Sequence, residues 1–312
     1  MRVVFMGSAE IACASLQALL DADGIDVVGV VTQPDRPSGR GKHTASCAAH
    51  AYAQVRGVDL YAPELVNTPE ATARLAAWRP DVGVVVAYGQ ILRRELLALP
   101  PLGLVNVHTS LLPKYRGAAP IQRAVANGDR ETGVTIMQMD AGMDTGDILA
   151  QQAVPIGEQD TAGRVHDRLG AAAAALLVPV LFDLQAGRVQ PQPQNLAHAT
   201  LAAKLQKAEG RLDWTQPARY LYNHVRGFNL WPGCYCRFDG GGSARTLRVL
   251  EARVEASQPV RPGSVIGVDG GLVVACGEGA LRLVRVQPEG GKAMDGAAFL
   301  CGHAIKVGER LA

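Results

Sequence analysis

Leu104-Val105-Asn106-Val107-His108-Thr109-Ser110-Leu111-Leu112-Pro113 is an apolar run that ends in a polar loop. Its first five residues suit a buried strand, in which Asn106 and His108 project to the same side. Strand-like and helical patterns alternate upstream of it. Arg2–Gly7, Val27–Thr32, Leu60–Tyr61 and Val82–Ala87 read as strands, and five of the six positions in Val27–Thr32 are β-branched. Ile11–Leu20, Ala48–Val55 and Pro69–Ala77 carry helical spacing. Continuous apolar strands separated by helices predict an α/β fold with a parallel sheet covered on both faces. Such sheets bind ligands at the carboxyl ends of their strands, which is where Asn106 and His108 fall. An amide and an imidazole on one face can hold a carbonyl oxygen and move a proton. A satisfied polar pair at a strand end is the other reading. The Gly7-Ser8 turn lacks the glycine spacing of a dinucleotide site, so no NAD site is expected.

Downstream, Val134–Met139 reads as another strand. The alanine-rich run from Leu169 to Leu184 is too short and too mildly apolar for a membrane span and reads as a buried helix. Gln and Pro then alternate through Gln190-Pro191-Gln192-Pro193-Gln194-Asn195, a composition suited to an extended linker. Beyond it come a helical stretch, Ala218–Phe228, and five short strands: Tyr235–Asp239, Thr246–Val254, Ser264–Val268, Leu272–Cys276 and Leu281–Val286. Turn residues separate the strands, a pattern that predicts a small antiparallel barrel. The apolar set changes face between Val249 and Leu250, which suggests a bulge. The expected organisation is a first domain over 1–189, a linker over 190–204 and a barrel over 205–312.

With 48% hydrophobic and 19% charged residues among 312, the chain can build a sizeable core and is not of the disordered class. No apolar leader follows the basic start, so a cytoplasmic protein is expected. The six cysteines (13, 47, 234, 236, 276 and 301) form neither a C-x-x-C pair nor a zinc pattern, and are expected to be small buried hydrophobes in a reducing compartment. Residues 1–204 hold 17 Lys+Arg against 19 Asp+Glu, whereas residues 205–312 hold 14 against 10. A basic C-terminal part is compatible with a polyanionic partner and equally with chance variation on a solvated surface.

A second polar cluster is Met139-Asp140-Ala141-Gly142-Met143-Asp144-Thr145-Gly146-Asp147. Its spacing does not match a calcium-binding EF-hand loop. A turn is one reading of it. The other is that a carboxylate from it reaches His108, orients the ring and stabilises its protonated form.

The run Asn106–Pro113, continuing through Lys114-Tyr115-Arg116-Gly117-Ala118-Ala119-Pro120-Ile121-Gln122, resembles the signature of the folate-dependent formyltransferases. So does Glu131–Asp140, leading into Met143–Asp147. Matching segments also include Thr32–Lys42 near the start, Arg211-Leu212-Asp213-Trp214 and Phe228–Gly233, so the resemblance covers nearly the whole chain. It is greatest to members that act on methionyl-tRNA. The resemblance implies a Rossmann-like catalytic domain followed by an OB-like barrel that binds tRNA. It implies Asn106, His108 and Asp144 as the catalytic trio, with Asn106 and His108 donating to the developing oxyanion and Asp144 holding His108. Ser110, Leu111, Leu112 and Pro113 would contact the folate, and Tyr88, Gly89, Gln90 and Ile91 would line the pterin pocket. Arg36, Arg40 and Lys42, in the loop Pro34–Lys42, would meet the tRNA acceptor end.

The implied reaction moves the formyl group of 10-formyltetrahydrofolate to the amino group of initiator methionyl-tRNA, for translation initiation, without a metal. A monomer with no membrane attachment is expected. The sequence departs from the family at His43-Thr44-Ala45-Ser46-Cys47, where a proline-rich segment is usual, and at Leu230, where proline is usual. Two alternatives stand beside this reading: a formyltransferase acting on an amino-sugar nucleotide, and a non-catalytic RNA-binding protein. The basic Pro34–Lys42 loop and the run Ala118–Gln122 favour the tRNA substrate.

Overall fold

Apolar strands of four to six residues need both faces covered, and the chain supplies helices between them. A computed structural model describes residues 1–38, 43–239 and 243–312. In chain order the elements are β1 (Arg2–Gly7), α1 (Ile11–Asp21), β2 (Asp26–Val31), β3 (Arg36–Ser38), β4 (His43–Ala45), α2 (Ala48–Val55), β5 (Leu60–Tyr61), α3 (Pro69–Ala77), β6 (Val82–Val86), α4 (Arg94–Leu97), β7 (Leu104–His108), α5 (Pro120–Asn127), β8 (Glu131–Gln138), β9 (Ile148–Pro155) and α6 (Ala162–Gln185). There follow α7 (Ala218–Gly227), β10 (Cys234–Asp239), β11 (Ala244–Glu255), β12 (Val265–Gly267), β13 (Leu272–Ala275), β14 (Ala280–Pro288), β15 (Met294–Asp295) and α8 (Gly296–Gly302).

The chain divides into two compact units. The first comprises residues 1–117, 131–155 and 166–202; the second comprises 118–130, 156–165 and 203–312. The units are therefore interleaved in sequence. Helix α5 belongs wholly to the second unit.

The first unit holds a sheet of order β5-β2-β1-β6-β7-β8-β9. Its members through β7 run parallel, and β8 and β9 are antiparallel. This is the expected Rossmann-like, mostly parallel arrangement. Val4, Met6, Val85 and Leu104 pack with Leu75 and Trp78 into one core layer. Gly29 is what lets Trp78 lie against β2, since a Cβ there would stand 2.5 Å from its ring. Helix α6 is long and apolar enough to cross a membrane by length and composition. Its Leu169, Ala173, Leu177 and Leu181 nevertheless form a buried stripe at four-residue spacing, and Gly170 lies beside Ile11 and Ala14 of α1. The expected core helix is what these positions make. Three features of this unit were not expected: the β3–β4 pair, the short helix α4, and β9, where one residue of eight is buried and no apolar period shows.

In the second unit an antiparallel sheet runs β10-β11-β14-β13-β12, with β15 also on β14. The register of β11 against β14 shifts at Val249–Glu251 and again at Glu251–Ala252, a bulge where the apolar pattern changes face. Residues 308–312 bridge the open edges. Ala312 exchanges backbone hydrogen bonds with Arg237 of β10, while Leu311 donates to Gly263 and Glu309 accepts from Val265 of β12. That bridging, together with the core of Phe238, Leu247, Leu283 and Phe299, gives the unit its barrel character. Cys234, Cys236 and Cys276 are buried there, and burial pushes each thiol up to about 12. They are inert core groups, as expected; Cys13 and Cys47 are only half-buried and Cys301 is exposed, which departs from that expectation.

Leu311 is 3% exposed and sits between the two edges that the terminal residues join. Leu311→Ala is expected to destabilise the second unit by about 2–3 kcal/mol. Denaturant unfolding followed by the fluorescence of Trp214 checks this; an unchanged midpoint would mean that the tail does not hold the barrel.

Candidate active site

Asn106 and His108 lie on β7, opposite Met137 and Thr135 of β8. His108 is 6% exposed. Its Nε2 lies 2.9 Å from the carbonyl oxygen of Tyr115. A carbonyl only accepts, so Nε2 carries the hydrogen and the neutral ring presents a lone pair at Nδ1. Nδ1 faces Oδ2 of Asp144 at 3.7 Å. The other carboxylate oxygen, Oδ1, accepts from the Asn106 amide at 3.5 Å. The Gly117 backbone N–H donates to Oδ2 at 2.8 Å. One carboxylate, only 16% exposed, thus stands between the amide and the imidazole.

The backbone that presents this carboxylate is unusual. Asp144 has φ +54, in the left-handed region that Asp tolerates better than most residues. Two residues on, a Cβ at Gly146 would stand 1.8 Å from the Gln138 carbonyl oxygen, so only glycine passes there. Gln194 holds the turn from outside: its Nε2 donates to the Asp144 carbonyl at 3.0 Å and to the Gly146 carbonyl at 2.7 Å. Its Oε1 accepts from Arg116 Nε at 3.1 Å and Nη2 at 2.7 Å. Arg116 and Gln194 are both buried. This neutral partner fixes a buried guanidinium beside the site.

The loop after β7 is built on Thr135, which is fully buried. Its hydroxyl donates to the Ser110 carbonyl at 2.6 Å and accepts from the Leu112 N–H at 3.1 Å and from Gln151 Nε2 at 2.8 Å. Gln151 Nε2 also donates to the Leu112 carbonyl at 2.9 Å. Ser110 Oγ donates to the Lys114 carbonyl at 2.6 Å. Thr200 closes the loop: its hydroxyl accepts from the Tyr115 N–H at 2.8 Å and its carbonyl from the Arg116 N–H at 2.8 Å. Thr135, Gln151, Gln194 and Thr200 were not singled out as site residues in the sequence. Gln194 and Thr200 lie in the stretch taken for a linker, and nothing in its composition marks them.

The sequence pattern of the formyl transferase family matches residues 1–181, and that of the formyl transferase C-terminal domain matches residues 204–304. The chain belongs to the formyl transferase family. Among similar curated proteins, methionyl-tRNA formyltransferase of Thiobacillus denitrificans is 49% identical over 312 residues, covering 100% of this chain and 99% of that protein. Methionyl-tRNA formyltransferase of Pseudomonas entomophila is 46% identical over 295 residues, 94% of this chain and 93% of that one. Among solved structures, the N-formyltransferase from Helicobacter canadensis, in complex with folinic acid and dTDP-3-aminofucose, superposes with a TM-score of 0.66 at 17% identity. It covers 90% of this chain and 98% of its own, a likeness of fold.

For this formyl transferase the expected trio comes together, all within the first unit. The other expected residues are placed differently from one another. Tyr88 turns its ring into the core and is 2% exposed, and its hydroxyl has no hydrogen-bond partner among the described residues. Burial raises its pKa above the ordinary tyrosine value. Its carbonyl accepts from Ser8 Oγ and Gln33 Nε2. Gln90 holds the segment 63–66: its Oε1 accepts from the Val66 N–H and its Nε2 donates to the Pro63 and Glu64 carbonyls. Gly89 has φ +90, and Ile91 is 83% exposed. Ser110 and Leu112 are buried, while Leu111 and Pro113 are half-buried. Arg36 pairs with Glu64 at 2.7 Å on the surface, a contact of little energetic weight. Arg40 and Lys42 lie outside the described residues.

Gln194 is the outer support of the Asp144 turn. Gln194→Ala removes the acceptor of Arg116 and the donor to two carbonyls, and is expected to cost on the order of 2–3 kcal/mol of stability. It should lower kcat of formyl transfer more than it raises KM, because Asp144 loses its position while substrate contacts remain. A variant with wild-type melting temperature and kcat would remove Gln194 from the site's support.

Proposed function

We propose that this chain transfers the formyl group of 10-formyltetrahydrofolate to the free amino group of methionyl-initiator tRNA, giving N-formylmethionyl-tRNA for translation initiation in the cytoplasm. The observation that carries the reading is the Asp144 carboxylate lying between the Asn106 amide and the His108 imidazole. It stands in a chain similar along its full length to proteins named for that activity. The donor set fits the chemistry: an amide N–H for a carbonyl oxygen, and a carboxylate–imidazole pair for one proton.

The nucleophile is an α-amine, whose ordinary pKa of ~7.7–8.0 leaves a useful neutral fraction at neutral pH. Its nitrogen bonds to the formyl carbon, and negative charge collects on the formyl oxygen. The Asn106 Nδ2–H donates to that oxygen, a contribution of about 3–4 kcal/mol in comparable sites. The tautomer of His108 gives the ring a different first duty from an oxyanion donor. With Nε2–H committed to the Tyr115 carbonyl, Nδ1 is the position that accepts the proton leaving the amine. Asp144 then faces the imidazolium it stabilises. The carbon–nitrogen bond to the carrier breaks, and the proton passes to the departing nitrogen, through Asp144 or a water beside it. The atoms balance with no metal in the scheme.

In this reading Ser110–Pro113 and the segment 88–91 border the folate. Arg36, Arg40 and Lys42 meet the acceptor end of the tRNA, the second unit, with its excess of basic residues, carries more of the RNA, and the protein acts as a monomer. A formyl-transfer assay with methionyl-tRNA beside dTDP-3-aminofucose tests the substrate. Formyl product on the tRNA alone is expected; product on the amino sugar instead would give the protein to the sugar branch. Asn106→Ala, His108→Ala and Asp144→Ala should each lower kcat by about a hundredfold or more, with the melting temperature retained. Near-wild-type turnover in two of the three would sink the mechanism.

A further inference from the structure

The second unit contains a cavity of about 410 Å³ that the formyl-transfer reading does not use. Thr161, Arg164, Tyr222, Arg226, Glu251 and Arg253 are among the residues lining it. Three arginines and one glutamate thus line a small space.

Arg226 is the unusual member. It is 8% exposed, yet no carboxylate pairs with it among the described residues. Its Nη1 donates to the Gly157 and Asp160 carbonyls at 3.1 and 3.0 Å, and its Nε to Asn223 Oδ1 at 3.0 Å. Tyr222 lies under the guanidinium, 5.6 Å from its ring centroid. Nη2 makes no hydrogen bond among the described residues, although it belongs to a group fixed on its other sides. Glu158, the acid in the adjacent segment, is taken by Arg219. Burial lowers the pKa of Arg226 below the ordinary arginine value, the mark of a cation held against its hydration. The Glu158 and Asp160 carboxylates act on it only at a distance and do not reverse that shift, so an anion contacting the guanidinium in the cavity would offset part of the cost of its burial.

Three further features point the same way. The side chains of Arg164 and Arg253 are exposed and make no ion pair or hydrogen bond among the described residues. Thr161 stands immediately before α6, a helix of 24 residues whose N-terminal dipole favours negative charge. The bulge of β11 lies in the wall: Leu250, Glu251 and Ala252 line the cavity where the register slips. Bulges of this kind re-aim side chains beside functional sites.

We propose that this cavity is a phosphate-binding site, with Arg226 as its rigid floor and Arg164 and Arg253 as the arms that close on the phosphoryl oxygens. Guanidinium forks suit phosphate geometry, and the Thr161 hydroxyl offers a further donor. The phosphate is either a phosphodiester of the RNA backbone or a free phosphate compound. The RNA source rests on the tRNA reading above; the site itself does not.

The test uses the full chain and the double variant Arg164→Ala/Arg253→Ala, which removes no described contact. Arg226→Lys serves as a second variant, because deleting Arg226 outright would strip the 157–160 segment of its donors. Pyrophosphate binding is read by calorimetry, and deacylated tRNA binding by titration across a salt series. For a backbone site, the slope of log K against log salt should shrink by roughly 0.7–0.9 in the double variant, the share of one lost phosphate contact. For a free phosphate compound, the slope stays unchanged and pyrophosphate affinity falls tenfold or more. Arg226→Lys should weaken whichever ligand responds. Wild-type behaviour of the double variant in both titrations would overturn the site. Neither titration depends on formyl transfer, so loss of the catalytic reading would be seen separately, as no formyl product on methionyl-tRNA.

Discussion

In the proposed mechanism, the first unit's chemistry depends on a single carboxylate being held in place by groups that do not react. Asp144 accepts the Gly117 N–H, faces His108 and Asn106, and has its own carbonyl tied to Gln194. A left-handed backbone at a non-glycine residue persists only where its surroundings over-determine it. Here they do, because Gln194 bonds the turn at both Asp144 and Gly146, and Arg116 fixes Gln194 in return. The His108 ring is oriented on the opposite side by the Tyr115 carbonyl, within the same stretch of chain. The orientation of the three proposed catalytic side chains thus comes from a closed set of backbone and amide hydrogen bonds, most of them shielded from water, where such bonds are strongest.

Much of this architecture was legible because apolar periodicity is a local signal. Leu104–His108, Ala48–Val55 and Pro69–Ala77 have the bounds their patterns imply. Asn106 and His108 share a face because a strand alternates, and the polar loop after them falls at the carboxyl end of the sheet. The bulge in β11 showed as an apolar set that changes sides at Val249 and Leu250. Asp144 could be named as a partner of His108 only through the family motif, since 36 residues separate the two.

What the sequence hid was carried by polar side chains acting over long separations. Gln194 reads as part of a Gln/Pro stretch, yet it reaches back 50 residues to the Asp144 carbonyl. Thr135 sits in an apolar strand and supports the Ser110–Leu112 loop from a fully buried position. No spacing rule announces such contacts, because a single amide or hydroxyl has no period. The same blindness explains β9, an edge strand with one buried residue of eight, and the assignment of α5 to the second unit. A helix between two elements of one sheet is ordinarily read as belonging to that sheet.

The placement of α5 affects how the chain must be made. Its apolar positions, Ile121, Ala124, Val125 and Ala126, are buried in a unit whose helix α7 begins about 90 residues later. Gly227 of α7 comes so near that a Cβ on it would stand 2.7 Å from the Ala126 nitrogen, and Arg123 pairs with Glu209 across 86 positions. At roughly 5–20 residues per second, a ribosome takes about 5–18 s to supply that partner. During this interval the sheet residues around 131–155 emerge while an amphipathic helix upstream of them has nothing to cover it. A nascent chain in that state offers a short apolar surface to any passing hydrophobe, and a holdase that binds it would favour productive assembly. The loop that must close before α5 is buried also raises the contact order of the second unit, which places it among the slower folders for its size.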